Sequence, residues 1–260
     1  MPPRIVCALF VISLAAQSLF AQDRPFVFSL VTAPDTSKTQ VLVDYDVGLG
    51  EQAFHSSTEN RPEQRVGVQV SVARWTLVSR FGVASVGDSY QSSQQAEALF
   101  SIFRQASSGV SLAMGGGMLH EAGGVNVAQA RIVGGRDYQD WRLHGNVLFQ
   151  KPLAADRDPV DLVTTVGWAR RLNTTVSLGI EGIGEDLEGF WDPAEAEGGA
   201  RLLVGPSLHI APRARQWQLS MAGGPTFHPS DSGRSSDALR DLPAGPTHGY
   251  ALRVSFAATF

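Results

Sequence analysis

Apolar and polar residues alternate with a period of two along most of this chain. The clearest run is Tyr250 to Phe260. Tyr250, Leu252, Val254, Phe256, Ala258 and Phe260 take one side, and Ala251, Arg253, Ser255, Ala257 and Thr259 the other. That period is the mark of a β-strand with one apolar and one mixed face. It predicts strands over 39–50, 66–73, 75–84, 94–105, 110–119, 125–133, 139–150, 161–170, 174–185, 200–210, 216–224 and 250–260. The stretch 65–84 is divided at Arg74-Trp75. The count is about twelve, with about 10 or 14 as alternatives; single-chain bacterial barrels have even numbers. A short run at Phe26 to Val31 would be a thirteenth strand. It is therefore assigned to a lead segment, 22–38, placed in the periplasm or acting as a plug.

The connections support one architecture. Those at 51–64, 85–93, 120–124, 151–159, 186–198 and 225–247 are the longer, polar set. Those near 74, 106–109, 134–138, 171–173 and 211–215 are short. Long loops on one side and tight turns on the other fit a barrel in an outer membrane.

The two faces decide between a membrane barrel and a soluble sandwich. One face is apolar in nearly every strand and carries Trp75, Trp141, Trp168 and Trp217 near strand ends. The opposite face carries Asp44, Asp46, Arg80, Glu97, Arg131, Arg142, His144, Glu181, Arg201, His209 and Arg253. A dry sandwich core accepts such charges only at several kcal/mol each unless they are paired. A wet or ion-paired lumen accepts them readily. In lipid every backbone group must find a partner, so the sheet must close on itself. The expected fold class is all-β: a closed antiparallel transmembrane barrel over 39–260.

Residues 1–21 read as a secretory signal. Arg4 supplies positive charge, Ile5 to Leu14 a short apolar core, and Ala21 a small residue at the cleavage end. The sole cysteine, Cys7, lies within it, so no disulfide or thiolate site is expected in the mature chain. With 21 basic and 25 acidic residues the formal charge is -4, which argues against nucleic acid as a partner.

Candidate chemistry is sparse. No serine sits in a GxSxG elbow, and no HExxH or close His/Cys/Asp cluster is present. No enzyme activity, metal or cofactor is expected. Asp44 and Asp46 share a face and could hold a cation weakly, but pairing with lumenal arginines is the simpler expectation. Asp186, Glu188, Asp192, Glu195 and Glu197 make an acidic outer loop around Phe190-Trp191.

The signal, the alternating strands and the terminal aromatic Phe260 together resemble the Gram-negative outer membrane β-barrel superfamily. The hairpin from Val166-Gly167-Trp168 through Arg171-Leu172 to Ile180-Glu181 is similar to those of its small porin-like members. The resemblance implies an outer-membrane location, with membrane lipids as surroundings. It also implies that Tyr250, Leu252, Val254, Phe256 and Phe260 form the signal read by the barrel assembly machinery. Two functions follow as expectations. One is a passive porin-like channel for small solutes; the other is a closed structural or surface-interaction barrel with an ion-paired interior.

Overall fold

The computed structural model describes residues 27–28, 31, 40–50, 62–86, 89–121, 124–153, 160–191, 200–212, 216–227 and 248–260. The expected signal, with Cys7, lies outside the described residues, as do Asp192, Glu195 and Glu197 of the acidic loop.

Twelve antiparallel strands close into a barrel. They are β1 (Gln40–Gly50), β2 (Glu63–Val72), β3 (Trp75–Val86), β4 (Ser89–Phe103), β5 (Ser111–His120) and β6 (Asn126–Asp137), followed by β7 (Trp141–Pro152), β8 (Asp161–Arg171), β9 (Val176–Glu185), β10 (Arg201–Ile210), β11 (Trp217–Phe227) and β12 (His248–Thr259). Each strand pairs with its sequence neighbours, and β1 pairs with β12 to remove the last edge. The closing register sets Asp44 opposite Ala257 and Asp46 opposite Ser255. Backbone bonds between Val41 and Phe260 complete the seam.

The division of 65–84 is real. Ala73-Arg74 make a two-residue turn, with Ala73 in the left-handed region at φ 54°. Two predicted loops are shorter than expected. Strand β2 begins at Glu63 rather than Val66, and β3 and β4 stay paired out to Val86 and Ser89, so the 85–93 loop shrinks to residues 87–88. Polar outer-end residues such as Gln91 and Ser92 conceal this extension, because composition reads them as loop while ladder bonds hold them in strand.

The outward face is mostly apolar. Leu77, Phe81, Val166, Trp168, Ile180 and Phe256 are each between 42% and 55% exposed. A soluble monomer rarely leaves so large an apolar surface in water. At the end holding the short turns, Trp75 meets Phe100 edge-on at 5.2 Å, Tyr138 stacks on Trp141 at 4.0 Å, and Trp217 lies 6.1 Å from Phe256. Arg74 and Arg136 lie over Phe100 and Tyr138. An aromatic girdle with cations suits a headgroup boundary.

Glycines admit charged neighbours on the inner wall. A Cβ on Gly67 would run into the Asp44 carboxylate, and one on Gly117 would sit 2.8 Å from Glu97 Cγ. Along Gly115-Gly116-Gly117 a Cβ would meet the backbone of Ala98, Gln129 and Ala96, so this run lets the main chains of β4 and β6 come close to β5.

Candidate functional site

The lumen collects nearly all the ionisable side chains that alternation assigns to the inside. Asp44, Asp46, Arg80, Glu97, Arg131, His144, Glu181, Arg201, His209 and Arg253 are all buried. Arg142 shares the parity of His144 on β7 and is half-buried toward the short-turn end. The outward set Tyr250, Leu252, Val254, Phe256 and Phe260 lies on the apolar side of the last strand or at its end.

Several of these groups are paired. Arg131 grips Glu97 with Nε and Nη2, at 3.0 Å to Oε2 and 2.9 Å to Oε1, and its Nη1 donates to Asn146 at 3.3 Å. Arg201 Nη2 meets Glu185 at 2.8 Å, and Arg65 Nε stands 3.5 Å from Glu63. Arg80 lies 3.9 Å from Asp44. His209 Nε2 sits 3.1 Å from Glu181, with Nδ1 3.0 Å from Ser220 Oγ. His144 Nε2 is 2.8 Å from Asp137. Bidentate arginine–carboxylate geometry of the Arg131–Glu97 kind is the strong form of such a pair. Among the described residues no group of His, Cys, Asp or Glu is arranged to hold a metal ion.

Several lumenal residues lie outside the candidate set. Glu63 falls in the stretch 51–64 read as loop, and Arg65 at its border. Glu185 and Asp161 stand at strand ends, where face is hard to assign. Asn146 and Gln129 have the inner parity of their strands but are uncharged and so are not singled out. Parity alone would have found Glu63 and Arg65, since 63, 65, 67 and 69 all continue the inner face of β2.

The lead segment was expected in the periplasm or as a plug, and its three described residues are inside the barrel. Val27, Phe28 and Val31 are 3%, 0% and 0% exposed. The Phe28 N–H donates to Glu181 Oε2 at 2.7 Å. Asn146 Nδ2 donates to the carbonyl of Val31 at 3.0 Å. The Arg253 guanidinium lies 5.2 Å above the Phe28 ring. Val27 and Phe28 join an apolar cluster with Leu148, Val163, Ile183, Leu203, Ala222 and Ala251. Val31 joins Val78, Leu99, Ala113 and Val133. Beside Phe28 there remains a cavity of about 50 Å³, bordered by Arg65, Gln129, Arg131, Asn146 and Arg253. The physical reason is width. An eight-stranded barrel is filled by its own side chains, and twelve strands enclose more than that. Here a stretch of chain takes up the difference.

No family model matches the sequence, and no curated protein matches it either. Solved structures do match in three dimensions. The KdgM porin superposes with a TM-score of 0.57 at 10% identity, over 84% of this chain and 99% of that one. The same porin in complex with disordered oligogalacturonate gives 0.55 at 10% identity, with the same coverage of both chains. An outer membrane channel from Pseudomonas putida F1 gives 0.54 at 10% identity, over 85% of this chain and 95% of that one. The fold is that of the porin-like outer-membrane barrels. At this identity the likeness is one of architecture, so the chemistry of the lumen is argued from this chain's own residues.

Proposed function

We propose that the protein is an outer-membrane channel for small polar solutes and that the described conformation is its occluded state. The observation that carries this reading is what fills the lumen. The wall carries many ionisable side chains, and remaining width is taken by Val27, Phe28 and Val31 of the lead segment rather than by wall side chains alone. A barrel meant to be solid could fill itself with larger inward residues. Both signs of charge line the path, so the channel discriminates by size more than by charge. Insertion rests on the last strand, where outward Tyr250, Leu252, Val254 and Phe256 and terminal Phe260 would be presented to the assembly machinery.

A second reading is a closed structural or surface-interaction barrel. The dense pairing of Arg131 with Glu97 and Arg201 with Glu185 favours it. Liposome swelling and planar-bilayer recording separate the two. The mature chain and its Phe28→Asp/Val31→Asp variant are compared, because a carboxylate cannot rest in either apolar seat without a large desolvation cost. Stepwise conductance, rare in the parent and frequent in the variant, is the expected result. Silence from both, with folded barrels verified by gel mobility, overturns the channel reading and leaves the closed barrel.

A further inference from the structure

The lumen carries two inward apolar patches that a water-filled channel has no use for. One lies on the wall from β7 to β10, with Leu148, Val163, Ile183 and Leu203; the other spans β3 to β6, with Leu99 and Val133 at its centre. Aliphatic surface facing a wet pore is exposed at a cost. Both patches are covered, each by a residue of the lead segment: Phe28 on the first, Val31 on the second.

Backbone groups of that segment are recognised as well. Glu181, with no exposed surface, accepts the Phe28 N–H on one oxygen while His209 stands by the other. Asn146 donates to the Val31 carbonyl and is itself held by Arg131, whose other nitrogens grip Glu97. Arg253 caps the Phe28 ring. A main-chain donor, a main-chain acceptor and two side-chain pockets three residues apart are thus read together. Main-chain bonds for affinity combined with spaced side-chain pockets for specificity are a general mode of peptide recognition.

We propose that the lumen is a peptide-binding site, selective for a segment with an aromatic residue and, three positions on, a β-branched aliphatic. The chain supplies this ligand itself, at Phe28 and Val31. The site deepens the occluded-channel reading but does not depend on conduction. A barrel that never conducts can still hold the segment, and a conducting barrel can lack the site.

The test uses the full chain and thiol chemistry. Cys7 is the only natural cysteine, so introduced thiols report cleanly in a Cys7→Ser background. A Val31→Cys chain should react with a maleimide at least about tenfold more slowly than a Leu172→Cys control on an exposed turn, as expected of a thiol reached only by local opening. Adding Phe28→Asp to the Val31→Cys chain, or adding excess synthetic peptide of residues 22–38, should bring its labelling close to the control rate. Equal labelling of Val31→Cys and Leu172→Cys in folded barrels overturns the proposal. So does labelling indifferent to both Phe28→Asp and the peptide. Loss of conductance with these thiol results intact would remove the channel reading alone.

Discussion

Replacing Arg131 by Met distinguishes a dry lumen from a wet one. The Glu97 side chain is fully buried and that of Arg131 is 4% exposed, with the pair closed at 2.9 Å. If water fills the lumen, the pair behaves as an exposed one and contributes about 0.2–1 kcal/mol. If the lumen is packed as described, removing the cation leaves a buried carboxylate without its partner, which costs about 3–5 kcal/mol. The contact from Arg131 to Asn146 goes too, and with it the support of the bond to Val31. The double variant Glu97→Gln/Arg131→Met removes both charges and should recover most of that loss, because a neutral buried pair carries no stranded charge. Stability is read by guanidinium unfolding from lipid vesicles, followed by tryptophan fluorescence. A cost for Arg131→Met below about 1 kcal/mol, or a double variant no more stable than the single, would refute a packed lumen at this level of the barrel.

Two further outcomes test the wall. Val166→Arg, at the middle of β8 on the outward face, should destabilise the barrel by about 2–4 kcal/mol in the same assay, the cost of a cation near the bilayer midplane; a cost near zero would mean that water touches this face. Gly67→Val should displace the Asp44 carboxylate that lies where the new Cβ must go, weaken its approach to Arg80, and cost about 1–3 kcal/mol as an overpacked site; if it is neutral by unfolding, the inner wall is looser than described.

The alternation of the strands was legible because a barrel wall has one lipid side and one lumen side, and period two maps directly onto that pair. Asp44 and Asp46 against Val43 and Tyr45, or His144 and Asn146 against Leu143 and Val147, declare their faces without any partner being known. Strand ends were less legible. Glu63 reads as loop, with Arg65 at its border, because polar residues at the inner face of a strand look like polar residues in a turn, and only the ladder opposite Gly48 and Asp46 holds them in β2.

The segment at Phe26 to Val31 shows where pattern gives out. It reads as a short strand with two faces, yet adjacent Val27 and Phe28, which would point to opposite sides of a strand, are both buried. Inside a closed wall every direction leads to protein, so no alternation can encode the placement.

The amino-acid order by itself determined the local conformation and which side of each strand meets hydrocarbon, because both follow from neighbours two residues apart. Closure of β1 on β12, the pairing of Arg131 with Glu97, and the seating of Phe28 between Glu181 and Arg253 were decided only in three dimensions. Each joins residues far apart in the chain, and their meeting depends on how many strands the wall contains and how much space it must fill.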